Sequence, residues 1–316
     1  MKNLLQPVTK ALHFIRNSAA GMAPFLRLLF ALFLWTITSF SVLFLGDQLY
    51  HLATGHSLFE VDIQATSLTD EMRTRLKLLT LLQSMSFFVF PPFVIAWFFD
   101  DSSKHFLSLR KVQSPMVFLW ATFLIMACIP LVNLLAELNQ MIPSSFLPSS
   151  VDQSEQLIEN LYQQLSYAPS ALALIINIFI MALVPAVGEE LMFRGVLQRM
   201  LTWCFKNPHA GIIIGAVIFG VIHNQFHSVL PRIALGMLLG YSLWMTGSIW
   251  VPVWMHFVNN LVNVLYLVLM DRGWELNSLE EAGTIHFHFW TSILSVIVVG
   301  VLLWKLSRYR KDYNAS

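Results

Sequence analysis

Eight mainly apolar runs divide the chain, at roughly 24 to 46, 76 to 99, 115 to 136, 170 to 190, 209 to 227, 229 to 246, 249 to 270 and 286 to 306. A helix needs about 20 such residues to cross the hydrocarbon core of a bilayer. The pattern therefore predicts an all-α membrane bundle of about eight transmembrane helices. The fifth and sixth runs are the least separate. Their boundary, His223 to Arg232, is polar only briefly, and Pro231 suits a helix start. Ahead of the first run, Leu4, Leu5, Val8, Leu12 and Ile15 share one helical face, with Lys2 and Lys10 off it. This predicts an interfacial amphipathic helix over 1–18, interrupted at Pro7.

Charge in the connections supports the count. Lys and Arg concentrate on the cytoplasmic side of membrane proteins. Here they gather at the N-terminus (Lys2, Lys10, Arg16), in the second connection (Lys104, Arg110, Lys111), after the fourth run (Arg194, Arg199, Lys206) and at the C-terminus (Lys305, Arg308, Arg310, Lys311). The alternate segments carry Glu60, Asp62, Asp70, Glu71, then Glu137, Asp152, Glu155, Glu159, then Asp271, Glu275, Glu280, Glu281. Eight spans with both termini cytoplasmic is the simplest solution. Arg73, Arg75, Lys77, Arg232 and Arg272 break the pattern. The polar segment 137–169, rich in Ser, Pro, Gln and Glu, is expected to cover the bundle as a partly helical cap.

Composition narrows the class further. Of the 316 residues, 56% are apolar and only 12% charged, against roughly 25% charged in an ordinary globular domain. A net charge of +1 and the lack of a basic, aromatic-interleaved stripe give no reason to expect nucleic acid as a partner. Cys128 and Cys204, in or beside different apolar runs, do not form a disulfide framework and are expected to be packing residues. No cleavable leader is expected, because no small-residue cleavage site follows a short apolar core. With no internal repeat, residues 1–316 read as a single membrane domain.

Against this background a few strongly polar residues stand out. Glu189, Glu190 and Arg194 lie on the fourth helix, His223 on the fifth, and His256 and Asn260 on the seventh. Carboxylates at bilayer depth cost about 2.5–3.5 kcal/mol each even on insertion scales, which makes them functional candidates by default. Residues four apart share a helical face. Glu190 therefore sits over Arg194, Phe219 over His223, and His256 over Asn260, while Glu189 points about 100° away from Glu190. If the fourth helix continues to about Phe205 and turns at Asn207-Pro208, Glu189 and His223 each stand roughly 25 Å from the bend, level with each other. Pro185 disfavours a straight helix one turn before Glu189, and Gly188 admits a neighbouring backbone. Gly211-xxx-Gly215 and Gly236-xxx-Gly240 permit close helix contact in lipid. Taken singly, each group has a structural explanation: an ion pair for Glu190 and Arg194, a hydrogen-bonded packing histidine, an interhelical asparagine.

The ordered set Glu189-Glu190-xxx-Arg194, Phe219-xxx-His223 and His256-xxx-Asn260 resembles the signature of the CPBP family, the CAAX proteases and bacteriocin-processing enzymes, also called the type II CAAX prenyl endopeptidase or Abi family. The resemblance covers roughly residues 170–270. It implies an all-helical intramembrane endopeptidase with Glu189, His223, His256 and Asn260 catalytic and Glu190, Arg194 and Phe219 in support. Chemistry suits these types. Glu189 can act as general base with His223 orienting the same water. His256 and Asn260 can donate to the oxyanion, worth about 2.7–4 kcal/mol for one good donor. A zinc alternative uses Glu189, His223 and His256 as a two-His-one-carboxylate ligand set, although no His-Glu-x-x-His helix motif is present.

The expected partners are membrane lipid and a membrane-embedded or prenylated peptide, and the short connections fit a bacterial inner membrane. Two rivals remain. A non-enzymatic scaffold or immunity protein would keep the fold and bind a membrane partner. A proton- or cation-coupled transporter would show polar groups reaching both faces and often an inverted repeat.

Overall fold

A computed structural model describes residues 16–61, 68–112, 114–142 and 150–309, and every regular element among them is helical. Most of the expected amphipathic helix over 1–18 lies outside these residues. We label the main helices α1 (Pro24–Thr54), α2 (Asp70–Phe99), α3 (Met116–Gln140), α4 (Ser150–Ser166), α5 (Ala171–Phe205), α6 (Pro208–Ile222), α7 (Val229–Thr246), α8 (Trp250–Asp271) and α9 (Phe289–Ser307).

Seven helices are long and apolar enough to cross a bilayer: α1, α2, α3, α5, α7 with its preceding turn from Phe226, α8 and α9. The eighth expected span, 209–227, is instead the 15-residue α6, about 22 Å long at 1.5 Å per residue. Its end is set by backbone and by a distant side chain. Asn224 adopts a left-handed conformation, φ 52°, and a 3₁₀ turn follows at Phe226–Ser228. Asn139 of α3, buried, then donates from Nδ2 to the Phe226 carbonyl at 2.5 Å and accepts from the Leu230 amide at 2.8 Å. The polar stretch thus keeps six residues, 223–228, out of α6 and α7.

Local chemistry accounts for the other boundaries. The Ser170 hydroxyl accepts from the Ala173 amide at the start of α5. The Asn207 carbonyl side chain accepts from His209 and Ala210 at the start of α6, meeting donors that a helix N-terminus leaves open. Proline acts inside the helices. Pro185 offers no amide hydrogen to the carbonyl four residues back and crowds it. The preceding segment Ile178–Leu183 widens to π-helical bonding, with the Val184 amide reaching the Phe179 carbonyl. The same widening, Met85–Val89, precedes Pro91 and Pro92 in α2. Such bulges are common at functional sites.

The widened part of α2 packs against α5 at Gly188. A Cβ added there would stand 2.9 Å from Phe88 Cβ and 2.9 Å from Val89 Cγ2. A second close contact joins α7 to α6, where Gly236 faces Ala216 with room for a Cβ at only 3.0 Å. α6 packs between α5 and α7, while α9 and α8 pack on α3. The amphipathic α4 lies outside the spanning set and touches α2, α5 and α8. Replacing Gly188 by Ala should destabilise the fold by about 1–3 kcal/mol through overpacking, read as a lower thermal midpoint in detergent. Gly300→Ala, where an added Cβ meets nothing within 4 Å, should leave the midpoint unchanged or raise it.

Candidate active site

Helices α5, α6 and α8 converge on one polar cluster. Glu189 Oε2 lies 3.8 Å from His223 Nε2 and 3.9 Å from His256 Nε2. The α5–α6 hairpin, closed by Lys206 in a left-handed conformation and Asn207 as cap, holds Glu189 and His223 at one level. Adjacent Glu190 turns the other way and is fully buried. Its Oε1 accepts from Arg194 Nη1 at 2.8 Å and pairs with His256 Nδ1 at 2.8 Å. Arg194 Nη2 also donates to the Gly236 carbonyl at 3.2 Å. One turn on, Gln198 Nε2 donates to the Gly240 carbonyl at 3.3 Å, so the glycine face of α7 exposes carbonyls to α5.

Phe219 forms the wall behind these groups. Its ring packs edge-on to Phe193 at 5.0 Å, His223 at 4.7 Å and His256 at 5.9 Å. The Arg194 guanidinium lies over it at 4.5 Å. A desolvated cation over an aromatic face gains about 2 kcal/mol.

The hydrogen bonds assign roles to the imidazoles. His223 Nδ1 lies 2.6 Å from the Phe219 carbonyl. A carbonyl can only accept, so Nδ1 carries the hydrogen. His256 Nδ1 faces the Glu190 carboxylate, which likewise accepts. In the neutral rings both Nε2 atoms therefore present lone pairs toward Glu189 Oε2. That oxygen is buried and has no hydrogen-bond partner among the described residues. Three acceptors thus converge with nothing to donate between them, at a spacing that one water molecule bridges.

The zinc expectation meets a geometric obstacle. Ligands of a tetrahedral zinc with bonds of 2.0–2.1 Å stand about 3.3 Å apart, whereas these donor pairs are at 3.8 and 3.9 Å. Among the described residues no group of three His, Cys, Asp or Glu side chains is placed to hold a metal ion.

Asn260 is half-buried one turn beyond His256, and its Oδ1 accepts from Asn259 Nδ2 at 3.4 Å. It makes no hydrogen bond to Glu189, His223 or His256 among the described residues. Two groups not anticipated as site residues approach from outside. Tyr162 of α4 is within electrostatic reach of Glu189 and Arg232. Burial of its hydroxyl end, then the Glu189 carboxylate, push its pKa above the ordinary phenol value, with Arg232 opposing, although nearly half of the residue remains accessible, at 47%. Tyr162 carries no sequence signal. Arg232 was visible only as a charge against the topological bias.

An integral membrane protein with a Glu-His-His cluster enclosed by helices is the class these features define. Residues 171–262, from the start of α5 into α8, match the family model described as type II CAAX prenyl endopeptidase Rce1-like. The chain is 29% identical over 107 residues to the Bacillus subtilis (strain 168) protein named "Putative membrane peptidase YdiL", covering 34% of this chain and 42% of the relative. It is 31% identical over 90 residues to "Uncharacterized protein YpbD" of the same strain, covering 27% and 43%. The alignments thus span less than half the length of each relative. No solved structure matches the chain.

Breaking a buried ion pair by removing one partner costs about 3–5 kcal/mol, because the other charge is left uncompensated. Arg194→Met should therefore lower the thermal midpoint well beyond the effect of Glu189→Gln, whose partners stand too far away for direct hydrogen bonds. Thermal unfolding of both variants in one detergent checks the order.

Proposed function

We propose that this protein is an intramembrane endopeptidase acting on a membrane-embedded or prenylated peptide in a bacterial plasma membrane. The observation that carries the reading is the buried, unpartnered Glu189 Oε2 faced by two imidazole Nε2 atoms. The match of residues 171–262 to the Rce1-like family model and the bacterial source of both relatives support it.

In this mechanism a water between Glu189 and His223 donates one hydrogen to each. Glu189 takes a proton as the water oxygen attacks the scissile carbonyl carbon, and His223, held by the Phe219 carbonyl, keeps that oxygen aimed. The π electrons of the carbonyl move to its oxygen. His256, held by Glu190 at Nδ1, takes up a proton from bulk water at Nε2, donates it in a hydrogen bond to this oxyanion, and gives it back to water when the product leaves. Asn260 supplies its amide Nδ2, which is not engaged by Asn259. Glu189 then returns its proton to the leaving amine as the C–N bond breaks, which restores the carboxylate. Glu190 and Arg194 position His256 without touching the reacting atoms.

Glu189→Gln should reduce cleavage of a farnesylated CAAX peptide in proteoliposomes by at least about 10²-fold, the lower end of what a general base contributes. His223→Ala and His256→Ala should fall comparably, all at unchanged expression. Full cleavage by Glu189→Gln would overturn the mechanism. Activity that survives exhaustive chelation is expected; activity lost to chelation and restored by zinc would return the ligand-set alternative. Partner capture or ion flux that persists in all three variants without any cleavage would favour the scaffold or transporter readings.

A further inference from the structure

Arg232 lies in the first turn of α7 and is half-buried. Its Nη1 donates to the Gln225 carbonyl at 3.4 Å, the Ser228 carbonyl at 3.3 Å and the Ser228 hydroxyl, and its Nη2 donates to Gln225 Oε1. All of these partners are neutral. No carboxylate lies within 4 Å of its guanidinium among the described residues, whereas Arg73, Arg75 and Arg194 each have one. A guanidinium has five N–H donors in a planar fork. These contacts leave Nε and one Nη2 hydrogen without a protein acceptor among the described residues.

The fork is held in place. The Gln225–Ser228 turn that it grips follows directly on His223. The turn is fixed by Asn139 at the Phe226 carbonyl, by Glu155 Oε1 at the His227 amide (3.1 Å) and by Asp152 at His227 Nε2 (3.0 Å). Glu189, Glu155 and Tyr162 are within electrostatic reach of Arg232, and Arg232 acts in turn on His223. A cation kept at a membrane site without a neutralising contact is costly unless an anion comes to it, and the fork geometry matches a carboxylate through two parallel N–H bonds.

We propose that Arg232 is a specificity-determining residue that binds the free C-terminal carboxylate of the substrate, so that the bond brought to Glu189 lies close to that terminus. This rests on the peptidase reading above. The arginine is a positioning residue with no part in bond breaking.

The test uses the full-length protein in phosphatidylcholine nanodiscs and a fluorophore-labelled farnesylated tetrapeptide, as the free acid and as its C-terminal carboxamide. In the Glu189→Gln background the acid should bind about tenfold or more tightly than the amide, the worth of a charge-assisted hydrogen bond. Adding Arg232→Gln should bring the ratio near one, and Arg232→Lys should retain part of it. The ratio compares two ligands on one preparation, so a partly folded variant does not distort it. Equal binding of acid and amide before Arg232 is changed, or a ratio that survives Arg232→Gln, overturns the proposal. So does a dependence on Arg232 that follows phosphatidylglycerol content while acid and amide stay equal, since the anion would then be a lipid phosphate. An acid preference that disappears with Arg232→Gln, in a wild type that cleaves nothing, upholds the anchor and removes the peptidase reading. Equal cleavage of acid and amide by the wild type does the reverse.

Discussion

One carboxylate oxygen organises the interior of this protein. Glu190 Oε1 binds Arg194 on its own helix and His256 on α8, and Arg194 extends the link to the Gly236 carbonyl of α7. In a site removed from water a carboxylate persists only when its charge is matched, so these three helices are bound to one arrangement around it. Two further properties follow. The rotation that buries Glu190 swings Glu189 toward His223, and the bond to Nδ1 aims His256 Nε2 at the same place. The paired acid thus sets the geometry in which its neighbour stays unpaired.

Much of this was legible because it depends on short-range periodicity. The apolar runs mark seven of the spanning helices, and the four-residue spacings put Glu190 over Arg194 and Phe219 over His223. Hairpin arithmetic through Asn207-Pro208 brings Glu189 level with His223, since it needs only the rise per residue and the position of a bend. Gly188, Gly211, Gly236 and Gly240 also read correctly as sites of close approach, whereas at Gly215 an added Cβ would meet only Leu201, at 3.9 Å. For Gly236 and Gly240 the carbonyls matter as well, because Arg194 and Gln198 bond to them.

What could not be read depends on distant parts of the chain. That His256 grips Glu190 follows from the rotation of α8 about its own axis, which packing against other helices sets. Four-residue spacing places Asn260 on the same face as His256 but does not foretell that its Oδ1 is taken by neighbouring Asn259. The early end of α6 rests on Asn139, 87 residues before Phe226, and the brief polar stretch at 223–228 does not by itself show where that helix stops. Tyr162 sits in a polar segment where a single tyrosine is unremarkable. Arg232 left one trace, its disagreement with the distribution of positive charge, which is the trace expected of a residue kept for something other than topology.

The shortness of α6 also bears on the lipid around the protein. A helix of about 22 Å cannot match a hydrocarbon layer of about 30 Å, and its outward side, with Ile213, Val217 and Val221 exposed, is apolar to its end. A short span of this kind is accommodated by local thinning of the bilayer, by snorkelling flanking residues or by association with another helix. This flank lies beside the cluster. On the proposed peptidase reading, which needs water at Glu189, such a mismatch would shorten the path from the aqueous phase to that carboxylate.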